Sequence, residues 1–140
     1  MSNVCKNHSC VKCCYNTEML LLNEDVKRIA RLGYEEDFFA ITNAEGFKVL
    51  KNSNEGRCVF HDGTQCTVYG DRPKGCKLYP IVFDEASMSA VKDHFCPYRD
   101  EFSISQKTKK ELSNVYPRFI SESSNRMQVK GTHRERMHLP

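Results

Sequence analysis

Eight cysteines are the residues of this chain whose type and spacing could support chemistry. Cysteine thiolates are the ligands of structural zinc sites and of iron–sulfur clusters, and both kinds of centre normally take four protein ligands. An N-terminal cluster of four is followed, after a long stretch without cysteine, by a more widely spaced set of four. The eight are Cys5, Cys10, Cys13, Cys14, Cys58, Cys66, Cys76 and Cys96. They suffice for two ligand sets, or for one set and four thiols with other roles.

The adjacent pair Cys13 and Cys14 limits how the ligands can be shared. Neighbouring side chains diverge by about 100° on a helix and point to opposite faces of a strand, so both sulfurs cannot easily reach one ion at about 2.3 Å. We therefore expect the two thiols to serve different centres, or one to bind metal while the other packs. Cysteines from both halves of the chain would then complete each set.

Disulfides are the main alternative use of the cysteines. The first residues contain no apolar stretch of signal-peptide length, and the longest apolar run, MLLL at 19–22, is far shorter than a membrane span. We therefore expect a cytoplasmic protein without a membrane partner, in which reduced thiols favour metal binding over disulfides. His8, His61 and His94 lie near cysteines and could replace a thiol, although exposed loop positions are the more common role for such histidines.

The formal net charge of +3 gives little support for nucleic-acid binding. Eight thiolates around two dipositive ions would add four negative charges and cancel it. Lys27, Arg28 and Arg31 fall on a helix whose other face is apolar, a pattern typical of a solvated helix surface. No Cys2His2 zinc-finger spacing occurs. We therefore do not expect nucleic acid to be the partner.

Two helices are predicted directly after the N-terminal cluster. Residues 24–32 follow an N-cap at Asn23, carry acidic residues in the first turn and place apolar residues at helical spacing. A second short helix is predicted over 34–41, with Phe38 and Phe39 turned into the core.

Short strands and turns are expected to carry the second set of cysteines. Alternating apolar and polar residues predict a strand over 46–52, and the Asp-Gly pair of HDGTQ supplies the turn of a hairpin-like segment between Cys58 and Cys66. DRPKGC predicts a helical turn that has Asp71 as a cap and Pro73 near its start. YPIVF and MSAVK, at 79–83 and 88–92, form a second hairpin.

The C-terminal part reads as helix followed by a tail. Residues 107–122 are helix-like, but Pro117 should kink or end that helix. Beyond residue 121 the sequence is polar and finally loses its periodicity. We therefore predict an α+β fold, with one small metal-centred domain over 1–120 and a polar, flexible tail over 121–140. Short helices and short β-hairpins would be organised around the cysteine-ligated sites.

The cysteine spacing and the middle motif resemble a known family. Cys-x4-Cys-x2-Cys-Cys at 5–14, CVFHDGTQCTVYGDRPKGCKLYP at 58–80 and the final Cys96 are similar to the YkgJ-like cysteine-cluster family of zinc- or iron-chelating domains. The resemblance covers residues 5–98. It implies that all eight cysteines are metal ligands and that the cofactor is zinc or an iron–sulfur cluster, of the 4Fe-4S type. The family's other motif positions fall on Tyr69, Arg72, Pro73, Tyr79 and Pro80.

The middle motif also has a physical interpretation. Pro73 fixes the start of a turn that would bring Cys76 back toward Cys66. Arg72 could donate hydrogen bonds to cysteine sulfurs or nearby carbonyls, and donors to sulfur raise a cluster's reduction potential. A surface or capping ion pair is an equally good role for Arg72. The two motif tyrosines are expected to shield the site.

Two functions remain open. The first is a structural or electron-carrying metal protein that acts with a protein partner, which suits a chain with enough thiols to saturate its metal and no evident catalytic dyad. The second is an iron–sulfur-dependent enzyme, which the family's distant similarity to flagellin lysine N-methylase implies. An enzyme requires an open coordination position or a pocket beside the metal.

Overall fold

The computed structural model describes the backbone of residues 14–138 and the side chains of residues 14–128. The α-helices in this part of the chain are α1 (Asn23–Ala30), α2 (Glu36–Phe39), α3 (Lys74–Leu78) and α4 (Gln106–His138). Two short 3-10 helices, Tyr69–Asp71 and Arg99–Glu101, precede α3 and α4. The strands are β1 (Leu20–Leu21), β2 (Ala40–Thr42), β3 (Lys48–Leu50), β4 (Ile81–Asp84) and β5 (Ser89–Lys92). Short helices combined with small antiparallel sheets confirm the predicted α+β class.

The first sheet has the strand order β1-β3-β2, with both pairs antiparallel. Val49 on the central strand pairs with Leu20 on one side and with Ile41 on the other. The strand predicted over 46–52 is confirmed at its centre but is three residues long. Gly46 lies in the turn before this strand, and its φ of +86° is far from the φ of a β-strand.

Helix α1 packs its apolar side into the core. Val26 and Ile29 are buried there, as predicted from their spacing, and the helix ends two residues earlier than expected. The N-cap position is Leu22 and not Asn23. The carboxylate of Asp25 accepts a hydrogen bond from the Leu22 N–H at 2.9 Å and so satisfies one of the donors at the start of the helix.

Helix α2 is shorter than the predicted helix over 34–41, because the chain passes into β2 after one turn. Phe39 is fully buried, but Phe38 is 50% exposed. The expectation that both rings lie in the core is therefore wrong. Adjacent side chains on a helix diverge by about 100°, so a single turn can bury only one of the two.

The segment between the two sheets contains turns in place of the expected hairpin strands. His61 and Cys66 form an isolated antiparallel bridge. The Asp62 carboxylate accepts two backbone N–H bonds at 2.9 Å, which hold its pKa below the ordinary value. Gly63 has a φ of +101°, a left-handed conformation that favours glycine. The predicted Asp-Gly turn is confirmed, while regular strands do not extend from it.

The second sheet is the predicted hairpin of β4 and β5, paired antiparallel from Ile81 opposite Lys92 to Asp84 opposite Ser89. Helix α4 contacts both of its strands. The ring of Phe83 stacks on that of Tyr116 with centroids 4.2 Å apart. This contact holds α4 against strand β4 of the hairpin.

Helix α4 continues through Pro117 and through the boundary predicted at residue 121. Proline removes one backbone hydrogen bond, and the packing of α4 on the second sheet holds the helix together across it. Beyond the boundary, Ser123 is buried and Arg126 donates to the Gly46 carbonyl at 2.8 Å. The body of the protein thus includes at least the first turns of the predicted tail. Across residues 14–138, no helix combines the length and apolar character needed to cross a membrane.

Candidate metal centre

Four cysteines line one small cavity of about 40 Å³ at the edge of the core. They come from the start of the described chain, from the turn-rich segment and from α3, and they are Cys14, Cys58, Cys66 and Cys76. Cys5, Cys10 and Cys13, which are also expected to be ligands, lie outside the described residues. The space bounded by these four thiols is called the four-cysteine cavity below.

Backbone pairing brings Cys14 beside Cys58, which lies more than forty residues later. The Cys58 N–H donates to the Cys14 carbonyl at 2.6 Å. Next to this pair, Tyr15 and Arg57 form an isolated antiparallel β-bridge. Cys14, one of the four cysteines of the N-terminal cluster, is thereby placed against the second set. This is the arrangement expected if cysteines from both halves of the chain complete each ligand set.

Cys66 is positioned from the other side of the core. The Thr67 N–H donates to the Phe60 carbonyl at 2.7 Å, which holds the chain after Cys66 against the buried ring of Phe60. Cys58 is itself a buried member of the core cluster, and Cys66 packs against it. Two of the four thiols are therefore set by the same contacts that stabilise the fold.

Helix α3 presents Cys76, and its first residue is held by a distant side chain. Pro73 lies next to the first helical residue, near the place expected for it, and occupies the N-cap position. The carboxylate of Asp25, on α1, accepts a hydrogen bond from the Lys74 N–H at 3.1 Å. Asp71, the cap expected from the sequence, does not fill this role, because a buried carboxylate from another helix does.

Arg28 extends the connection between α1 and the segment before α3. Its guanidinium forms a 2.8 Å ion pair with the fully buried Asp25 and donates to the carbonyl of Arg72 at 3.0 Å and to that of Asp71 at 3.3 Å. Arg28 is thus part of the scaffold around Cys76, and the expectation of a merely solvated side chain is wrong for this residue.

Three residues of the middle motif form the polar wall of the four-cysteine cavity: Tyr69, Arg72 and Tyr79. Arg72 stacks over the Tyr69 ring, with its guanidinium carbon 4.1 Å from the ring centroid, and donates to the Tyr69 carbonyl at 2.7 Å. The predicted bond to a nearby carbonyl is confirmed, and the tyrosines lie where shielding residues were expected. None of the ion pairs among the described side chains involves Arg72.

A buried nitrogen in this wall has no hydrogen-bond partner among the described residues. The Nε of Arg72 is inaccessible to solvent, and its N–H finds no acceptor in that part of the chain. Buried polar groups are normally satisfied, so such an atom calls for an explanation. A metal-bound thiolate carries negative charge and accepts hydrogen bonds from just such donors. The residues around the cavity therefore fit a thiolate-bound metal.

The four thiols share a space without yet forming a coordination shell. Within the described part of the chain, no three side chains of Cys, His, Asp or Glu are grouped closely enough to hold an ion. Zinc–sulfur bonds are about 2.3 Å long, so metal binding has to draw the sulfurs together. A centre here would consequently tie the start of the chain, the turn-rich segment and α3 to one point.

The histidines that were considered as alternative ligands divide between two environments. His61 is only 6% exposed, so the expectation of an exposed loop position is wrong for it. Its Nδ1 accepts a bond from the Gly63 N–H at 3.1 Å, while its buried Nε2 has no hydrogen-bond partner within the described part of the chain. The side chain of His94 is 79% exposed, in line with the expectation. His8 lies outside the described residues.

Cys96 is buried in a different place from the other four described cysteines. It lines a larger cavity of about 870 Å³, which we call the large cavity. Met19 and Tyr79 line both cavities and so form a wall between them. The sequence motif gave no indication of this second space, because its walls come from segments far apart in the chain.

Comparison with known proteins identifies the family. Neither a curated protein nor a solved structure gives a significant match, so the distant similarity to a lysine N-methylase stays a prediction. One family model, described as a "putative zinc- or iron-chelating domain", matches residues 4–97, a range that includes all eight cysteines. The chain therefore belongs to the CxxCxxCC family.

Proposed function

We propose that this protein uses the four-cysteine cavity to bind one zinc ion or one 4Fe-4S cluster, and that the centre is structural or carries electrons. The observation that carries the proposal is that Cys14, Cys58, Cys66 and Cys76 face one cavity although they are widely separated in sequence. Four thiolates are the ligand number that both kinds of centre normally take.

Residues around the cavity would balance the negative charge of the thiolates and limit the access of water to the metal. The unpaired Nε–H of Arg72 can donate to a thiolate and lower its effective negative charge. Tyr69, Tyr79 and apolar core side chains line the cavity and limit the access of water to the sulfurs. When bound, zinc would supply folding free energy, whereas an iron–sulfur cluster would supply one-electron chemistry.

The other four cysteines, Cys5, Cys10, Cys13 and Cys96, would form a second centre or have separate roles. Cys14 and Cys96 line different cavities, which supports a division of the eight thiols into two groups. The divergence of adjacent side chains favours the placement of Cys13 in the other group from Cys14.

We also propose that the protein acts in the cytoplasm with a protein partner. Several large apolar side chains in the described part are more than half exposed, among them Ile41, Met88 and Phe95. Exposed aromatic and methionine side chains are enriched in protein interfaces.

An iron–sulfur-dependent enzyme is the second candidate, and one observation favours it. The large cavity is separated from the four-cysteine cavity by Met19 and Tyr79. An enzyme of this kind would bind its substrate in such a neighbouring space. Turnover that is lost when the large cavity is filled by a bulkier side chain, with metal content unchanged, would support this candidate.

Anaerobic purification with metal analysis, an optical spectrum and electron paramagnetic resonance tests the main proposal. We expect bound zinc, or iron and sulfide with a charge-transfer absorption, and we expect Cys76→Ser to lose the centre in the four-cysteine cavity. Cys96→Ser is the matched control, because Cys96 lies in another cavity. Metal-free wild-type protein that stays folded, or equal metal contents in the wild type and Cys76→Ser, would overturn the proposal.

A further inference from the structure

The large cavity has the size of a small-molecule site. Its volume of about 870 Å³ lies within the roughly 300–1,000 Å³ typical of ligand pockets. It opens between the segment that leads into β1, the β4–β5 hairpin and helix α4. Helix α4 contacts both strands of the hairpin, so the cavity is formed where separate elements pack and not within a single loop.

Apolar side chains form most of the cavity wall. They include Leu20, Ile81, Phe83, Leu112, Val115 and Phe119. Leu112 and Val115 are buried on α4, and Ile81 is buried on β4. A wall of this kind binds an aliphatic or aromatic group through the hydrophobic effect.

The charged residues in the wall are all acidic. Glu18, Glu85 and Asp93 line the cavity, and no Lys, Arg or His is found among its described lining residues. The whole chain contains 21 Lys and Arg residues against 18 Asp and Glu, so this composition is the reverse of the chain average. His94 lies 3.9 Å from Asp93, but its side chain is largely exposed and is not part of the wall.

Two of the carboxylates are fixed by tyrosines of the same wall. Tyr116 donates to Glu85 Oε1 at 2.7 Å, and Tyr79 donates to Asp93 Oδ2 at 2.6 Å. The bond from Tyr116 raises the pKa of that phenol above its usual value. Glu18 and Glu85 are exposed, which puts negative charge at the mouth of the cavity.

We propose that the large cavity binds a small organic cation, namely a compound with an apolar body and a primary amino or ammonium group. The apolar body would lie against α4 and the β4–β5 hairpin, and the cationic group would face the carboxylates of Glu85 and Asp93. This proposal does not depend on the metal centre. A bound ligand would nevertheless lie beside the four-cysteine cavity, because Met19 and Tyr79 line both spaces.

Three probes with the same body and different charge test the proposal: 4-phenylbutylamine, 4-phenylbutan-1-ol and 4-phenylbutyrate. Binding of each to the full chain as purified is measured by titration calorimetry and by chemical-shift changes of the cavity residues. We expect the amine to bind about fivefold to tenfold more tightly than the alcohol. The carboxylate should bind more weakly than the alcohol.

Glu85→Gln and Asp93→Asn locate the cationic group. Each should reduce the preference for the amine over the alcohol severalfold and leave the affinity for the alcohol nearly unchanged. Glu45→Gln is the matched control, because Glu45 is exposed and lies outside the cavity wall. A change in the metal-centre absorption on addition of the amine would further support a ligand beside Tyr79.

Three results would overturn the proposal. Equal affinities for the three probes would show an apolar groove without charge selection, suited to another protein segment. The absence of binding at millimolar probe would show that the space is closed to small molecules by another part of this chain or by a partner. An amine preference that survives in both carboxylate variants would place the site elsewhere.

Discussion

The carboxylate of Asp25 accepts a hydrogen bond from the backbone N–H of Lys74, 49 residues away in sequence, at a distance of 3.1 Å. The same fully buried carboxylate accepts from the Leu22 N–H and pairs with Arg28. One side chain thus fixes the start of α1, the start of α3 and the guanidinium that holds the segment before α3. The position of Cys76 depends on this connection.

Asp25→Ala should destabilise the protein by about 3–5 kcal/mol, because it leaves Arg28 partly buried without its partner. Chemical denaturation of the purified protein measures this loss. Asp25→Asn should lose less, since the amide oxygen can still accept one backbone bond. Both variants should also bind metal more weakly than the wild type.

The control for this variant is Glu36→Gln, which removes an exposed carboxylate paired with Lys48. Exposed pairs contribute about 0–1 kcal/mol, so the control should stay close to the wild type. An Asp25→Ala protein as stable as Glu36→Gln would show that the three contacts of Asp25 do not hold α1 and α3 together.

Arg72→Met should retain the four thiols but lose a guanidinium donor that lines their cavity. We expect metal affinity to fall about 10–100-fold, the effect typical of removing a residue that hydrogen-bonds to a metal ligand. If the centre is an iron–sulfur cluster, its reduction potential should also fall, because the sulfurs then carry more negative charge. Chelator competition and a potentiometric titration measure the two effects.

Arg31→Met is the control for Arg72→Met, since Arg31 is exposed on another helix end and lies outside the four-cysteine cavity. Unchanged affinity and potential in Arg72→Met would mean that its buried Nε does not face a metal-bound sulfur. Arg72→Lys keeps the positive charge but loses the planar guanidinium donor. Its metal affinity and reduction potential should therefore lie between those of the wild type and Arg72→Met.

Removal of the metal should lower the unfolding temperature of the wild type. A metal centre would tie four sulfurs from distant parts of the chain to one point, and that binding free energy is folding free energy. Differential scanning calorimetry before and after chelation measures the change. In Cys76→Ser, chelation should no longer cause the part of the decrease in unfolding temperature that comes from metal in the four-cysteine cavity. An unchanged melting temperature after verified metal removal from the wild type would exclude a structural role.

The ion pair between Glu24 and Arg118 predicts a pH dependence of the contact between α1 and α4. A hydrogen bond from Arg118 lowers the pKa of Glu24 below 4.5, and the same bond raises the pKa of Arg118. The lowered pKa means that the stabilisation is present above about pH 4.5 and is lost as the pH falls through the folded-state pKa. Because Glu24 is about half exposed, the effect is limited to about 0.2–1 kcal/mol.

Comparison of the wild type with Glu24→Gln by urea denaturation at pH 7 and near pH 2.5 measures this contribution. The difference in unfolding free energy should be present at pH 7 and nearly absent at the acid end. Salt should reduce it at neutral pH, because the pair is solvent-accessible. A difference that is the same at both pH values would assign the effect to helix propensity instead of to the ion pair.

Local rules explain which elements were predictable from the sequence. Pro73 and the Asp-Gly turn at 62–63 act through their own backbone, and both lie where expected. The divergence expected for the adjacent Cys13 and Cys14 stays a prediction, because Cys13 lies outside the described residues.

Long-range contacts account for the features that the sequence did not reveal. Asp25 looks like an ordinary first-turn acid, and only the folded chain places it against Lys74. Pro117 looks like a helix end, but packing on the second sheet keeps α4 continuous. The walls of the large cavity come from three separate elements, so no window of sequence contains its pattern.

Gly46 offers a test of how far the packed part of α4 extends. Its φ is +86°, and a Cβ at this position would come within 2.7 Å of the backbone carbonyl oxygen of Ser123, beyond the predicted boundary at residue 121. Gly46→Ala should therefore destabilise the protein by about 1–3 kcal/mol, through backbone strain and the clash with α4. Gly33→Ala is the matched control, because Gly33 has a φ of +106° but a Cβ there meets no described atom within 4 Å. It should lose only the contribution of backbone strain, so Gly46→Ala should be the less stable of the two variants. Equal stabilities would show that α4 does not pack against the Gly46 turn in solution.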